Sequence, residues 1–194
     1  MLFKSRFSVL LVSVLFIVAA CGNKKQKETP QPDASEGTYF SIRQFVSDQW
    51  ETFHGQPFAI AKIVTVNGKT DSIMTNADKL DWGSIFKIFF ATDISDPKFL
   101  GKYDFSHFAD DATASNNFYY EAKEPDLFTR KLHIISDDVT NKIKSIYIET
   151  EQKTKWGSRI QRLFYIPVKT ISIQEFESTT TGDKKELRVE YRFM

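Results

Sequence analysis

The chain has a single cysteine, Cys21, in 194 residues, so no disulfide closes within it and no set of thiolates holds a metal. Histidine is nearly as scarce. His54, His107 and His133 stand far apart, and none falls in a metal-ligand spacing such as HExxH. No glycine cluster precedes a helix, which removes the loops that cradle phosphate, and no GxSxG elbow exposes a serine nucleophile. Charge of either sign is not in excess, with 26 Lys and Arg against 25 Asp and Glu. Such balance gives no electrostatic footprint for nucleic acid. The most apolar run, Phe7 to Val18, falls short of the roughly 20 helical residues that cross a hydrocarbon core.

What the chain does have begins with a leader. Lys4 and Arg6 form a positive start, the apolar run follows, and the small residues Ala19 and Ala20 precede Cys21. This is the layout of a secretory signal peptide over residues 1–20. A plain signal peptide with an incidental cysteine, or an uncleaved anchor, would share most of that layout. Val18-Ala19-Ala20-Cys21, followed by Gly22, resembles the lipobox of bacterial lipoproteins. The resemblance implies cleavage before Cys21, diacylation of its thiol and usually a further acyl chain on the new N-terminus. At about 0.8 kcal/mol per buried CH₂, one chain anchors marginally and several anchor stably. Lipidation also removes the oddity of a lone thiol in an oxidising compartment. Cleavage takes away Lys4 and Arg6, leaving 24 basic against 25 acidic residues.

Residues 21–37 carry Lys24, Lys25, Gln26, Lys27, Pro30, Pro32 and Ser35 and no large apolar side chain, so they read as a flexible tether. Its early lysines suit anionic headgroups. The mature chain, with FSIRQFVSDQW from Phe40, ATDISDPKFL from Ala91 and KSIYIET from Lys144, is similar to uncharacterised lipoproteins of Bacteroidota, a resemblance that brings no known activity. In that group an acidic stretch after the cysteine accompanies surface display, whereas this tether is basic. Gly22 also differs from the aspartate that accompanies inner-membrane retention in enterobacterial lipoproteins. The expected place is the cell envelope, anchored in the outer membrane and facing the periplasm.

Residues 38–194 fit one aromatic-rich domain, in which 18 phenylalanines across the chain supply core. Ser41 is a candidate N-cap with Gln44 as its capping-box partner and Phe40 and Phe45 as a staple. Ile42, Phe45, Val46 and Phe53 then line one helix face, which Gly55 and Pro57 end. Residues 58–66 and 69–75 flank Asn67-Gly68, the preferred type I′ hairpin turn. Asn76 or Asp78 opens a second helix with Trp82, Ile85, Phe86, Phe89 and Phe90 on one face. Residues 96–117 lose periodicity and read as a long loop. Strands follow over residues 118–122, 128–136, 143–151, 160–165, 168–176 and 187–193, the last alternating cleanly. The expected fold class is α+β, an antiparallel meander with the two helices on one face.

Candidate chemistry gathers in the loop. Asp104, His107, Asp110 and Asp111 supply hard oxygens and a nitrogen that suit a divalent cation, and would make a metal-assisted hydrolase. The spacing matches no EF-hand, and short acidic loops also serve turns and caps. Glu121 and Glu124 are a carboxylate pair whose geometry sequence does not give. Trp82, Phe86, Tyr103 and Phe108 are candidates to line an apolar ligand site between sheet and helices, and ordinary core packing would use the same rings. An antiparallel sheet holding a helix in its concavity is similar to periplasmic carriers of lipoproteins and lipids, which implies a lipophilic ligand. The leading expectation is a lipid-anchored binding or interaction module with no cofactor, contacting membrane lipid through Cys21 and an envelope protein or lipophilic ligand through the domain.

Overall fold

The computed structural model describes residues 38–194; the expected signal peptide, Cys21 and the expected tether lie outside the described residues. The first helix, α1, spans Ile42–Phe53. Ser41 caps it, its Oγ accepting from the Gln44 amide at 3.1 Å, and Phe40 and Phe45 meet at 6.1 Å as the staple requires. The capping box is half formed, because the Gln44 side chain turns to Asp48, its Nε2 donating at 2.7 Å, instead of accepting from the Ser41 backbone N–H. A carboxylate from further along takes its place: Asp93 accepts from Ser41 Oγ at 3.1 Å and from the Arg43 amide at 3.2 Å.

Strands β1 (Ala59–Val66) and β2 (Lys69–Asn76) form the expected hairpin. Asn67 and Gly68 both take positive φ, 48° and 80°, the conformation that a type I′ turn demands and that asparagine and glycine tolerate. Helix α2 spans Trp82–Phe90 and buries Trp82, Ile85, Phe86 and Phe89. Its cap is Asp81, not Asn76 or Asp78, since residues 77–79 close a separate 3₁₀ turn first.

The expected loop is corrected most. Residues 103–122 form a hairpin of β3 (Tyr103–Asp110) and β4 (Ser115–Ala122), turning where Ala114 adopts φ 46°. An edge strand needs apolar residues on one face only and pairs on one side only, so β3 keeps polar residues that read as loop. The chain continues as β5 (Thr129–Asp137), β6 (Ile143–Thr154), β7 (Gly157–Ile166), β8 (Thr170–Thr179) and β9 (Lys184–Phe193).

Among the described residues there is one antiparallel sheet of nine strands, ordered β2-β1-β9-β8-β7-β6-β5-β4-β3. The meander therefore runs from β3 to β9, and the N-terminal hairpin joins the last strand through β1. Register aligns Val64, Val189, Ile173, Leu163, Ile148, Leu132, Tyr120 and Phe105 in one apolar row across eight strands. Both helices sit on this inner face. Phe45 and Phe89 meet the Tyr165 ring at 5.4 and 6.0 Å, and Phe53 meets Phe193 at 5.3 Å. Burying each such ring contributes about 1.5–3 kcal/mol, so the core stands without disulfides.

Candidate interaction face

Strand periodicity that fills the inner face also decides what the other face shows. Tyr119 of β4, His133 of β5, Tyr147 of β6 and Phe164 of β7 are directly opposed across successive pairings, so they form one row on the uncovered outer face. Phe108 of β3 joins it, stacked on Tyr119 at 5.7 Å. Phe108 is 48% exposed, and Tyr119 and Phe164 are each 37% exposed. The Tyr119 and His133 rings lie 3.8 Å apart and nearly parallel, so ring edges rather than ring faces meet solvent. That geometry suits contact with protein side chains better than stacking of a flat ligand.

A charged row borders the aromatic one. Asp104, Glu121, Lys131, Glu149 and Arg162 follow in register across β3 to β7, with Lys131 pairing Glu121 at 3.5 Å and Arg162 pairing Glu149 at 3.2 Å. The Tyr147 hydroxyl donates to the same Glu149 carboxylate at 3.1 Å. Near the β3 edge a shallow cleft of about 310 Å³ is lined by Asp104, Ser106, Tyr119, Glu121 and Lys131. An apolar strip with a polar rim is the anatomy of a protein interface.

His133 is fixed by a chain of hydrogen bonds whose direction can be read from its end. The Asp110 carboxylate only accepts, so Thr113 Oγ1 donates to it at 2.7 Å, and Ser115 Oγ then donates to Thr113 at 2.8 Å. Asn117 Nδ2 donates to Ser115 at 3.3 Å, which turns Asn117 Oδ1 toward His133 Nε2 at 3.0 Å. His133 therefore carries its proton on Nε2 and leaves Nδ1 as the free lone pair. Partial burial pushes the imidazole pKa below its usual value. Hydrogen bonds from Thr113 hold the Asp110 carboxyl below the usual carboxylate range, with backbone amides adding to them.

The residues singled out for metal are not brought together. Asp104 and Asp110 lie six residues apart on β3, about 20 Å along the strand, and point to the outer face. His107 has the opposite parity and stacks on Phe118 at 4.7 Å on the inner face. Asp111 falls in the turn beyond the strand. Among the described residues no group of three or more metal-ligating side chains forms.

The four apolar candidates also part company. Trp82 and Phe86 stack at 5.4 Å under α2, where the Trp82 indole donates to the Ala77 carbonyl at 2.7 Å. Tyr103 is buried between Tyr39 and Phe99, and burial pushes its hydroxyl up to about 12. Phe108 alone faces solvent, on the opposite side of the sheet.

Sequence reasoning missed Tyr147 and Phe164. The signal was available, because each stands out of phase between buried neighbours, Ile146 and Ile148 in one case and Leu163 and Tyr165 in the other. An aromatic at the solvent parity of an alternating strand marks an exposed ring. No family model, curated protein or solved structure matches the chain.

Proposed function

We propose that the chain is a lipid-anchored lipoprotein of the cell envelope, held in the outer membrane by acylated Cys21, whose domain is an interaction module for a partner protein. The aromatic row Phe108, Tyr119, His133, Tyr147 and Phe164 carries this reading. Continuous apolar strips of this kind are uncommon on surfaces that meet only water. The charged row beside it supplies register for an incoming chain. A metal-assisted hydrolase has less support, since β3 sends His107 to the face opposite Asp104 and Asp110. A lipophilic carrier has less support too, because the rings of α2, Phe53, Tyr165 and Phe193 pack against one another beneath the helix.

The test places a photo-reactive residue at Tyr119 or Phe164 in the native envelope, with Thr70, exposed on the same face at the far edge, as comparison. A discrete crosslinked species from Tyr119 and Phe164, absent from Thr70, is the expected result. No discrete species at either position, or equal yield at Thr70, contradicts the proposal.

A further inference from the structure

Four hairpins turn at one end of the sheet, those joining β1 to β2, β4 to β5, β6 to β7 and β8 to β9. The β6–β7 hairpin projects well past β5, level with the β8–β9 hairpin beside it. Residues 152–154 of β6 pair with β7 alone, about 10 Å beyond the last β5 pairing. At its tip stands Trp156, 70% exposed.

This tryptophan is held out rather than left loose. The Trp156 amide donates to Thr154 Oγ1 at 3.2 Å, and its carbonyl accepts from the Thr180 amide of the neighbouring hairpin at 3.0 Å. Gly157 follows with φ 156°, where a Cβ would lie 2.0 Å from the Ser178 carbonyl oxygen, so only glycine lets β8 approach so closely. The core has no use for the indole, yet the backbone fixes its position.

Unpaired charge around the tip leans positive, with Lys155, Lys184 and Lys185 against Asp183 and Glu186 among the described residues. Lys155 lies with its ammonium 4.9 Å from the Trp156 ring, and Lys184 and Lys185 open β9 beside it. Lys69, Lys155, Lys184 and Lys185 form no ion pair among the described residues, whereas Lys153 and Arg159 are paired to Glu151 and Glu177. The described chain also enters the domain at this end. The Tyr39 hydroxyl accepts from the Gly101 amide at 2.9 Å and reaches the Tyr103 carbonyl at the start of β3.

We propose that the Trp156 hairpin with Lys155, Lys184 and Lys185 is a membrane-docking end, seating the indole among the headgroups of an anionic bilayer. Tryptophan favours that interface because one edge of it is apolar and the other donates a hydrogen bond. Lysines near the surface add attraction that salt screens. This inference rests on the lipid-anchored reading for bringing a bilayer near.

The test uses the mature chain from residue 21 with Cys21→Ser, so that no acyl chain contributes. It is sedimented with vesicles of equal phosphatidylethanolamine and phosphatidylglycerol, or of phosphatidylcholine alone. Binding to the anionic vesicles at low salt, released by high salt and abolished by Trp156→Ala, is the expected result. Lys184→Gln with Lys185→Gln weakens it about 25-fold, at about fivefold per lysine. No binding to anionic vesicles overturns the proposal. So does binding that survives both sets of substitutions, which would assign it to the tether lysines. A Cys21 that proves unacylated in cells would overturn the anchored reading and leave the vesicle result to stand or fall separately.

Discussion

His133 shows how much a single residue's surroundings decide. Its Nε2 proton is committed to Asn117, its ring lies on Tyr119, and burial disfavours the imidazolium. The folded pKa thus lies below the unfolded value of about 6.5. The unfolded chain takes up the proton first as pH falls, so the stability this residue contributes is complete above about pH 6.5 and is lost on acidification through the window below it. Urea denaturation between pH 7.5 and 5.5, roughly one unit to either side of that value, should show a decline that His133→Gln reduces. An imidazole titrating at or above the unfolded value in the folded protein would refute it. Nothing in the sequence around His133 announces this chain of bonds, because Asn117 and Asp110 reach it only through the β3–β4 hairpin.

At the scale of elements, α1 and α2 depend on each other through Asp93. This carboxylate follows α2, yet it accepts from Ser41 Oγ and the Arg43 amide at the start of α1, and from the Ser95 amide at 3.0 Å. Asp93→Ala leaves three donors without their partner and should cost about 1–3 kcal/mol, while Asp93→Asn, which retains an acceptor, recovers most of it. Urea midpoints of the three proteins check this. The Ser41 cap, the Phe40–Phe45 staple, the Asn67-Gly68 turn and the buried face of α2 were all legible, since each is a local pattern with a local cause. The help that Asp93 gives α1 was not, because it joins residues 50 apart in sequence. Strand β3 hides from a sequence reading for a different reason. Tyr103 is its one fully buried side chain, so the apolar alternation that reveals a strand is missing.

On the scale of the whole molecule, the meander from β3 to β9 follows from short connections, but the seat of β1 beside β9 is a non-local choice that no periodicity encodes. The same topology divides the molecule's work. Its inner face spends the aromatics on a core that needs no cysteine, its outer face keeps a row of rings open, and one end carries Trp156 among lysines. The membrane-docking reading rests on the proposed lipid anchor at Cys21. The intact mass of the protein, extracted from membranes with detergent, measures it directly. The expected species lacks residues 1–20, carries the added mass of acyl chains on Cys21, and disappears in Cys21→Ser. A chain that retains Met1, or a mature chain with a free Cys21 thiol, would contradict the lipid-anchored module.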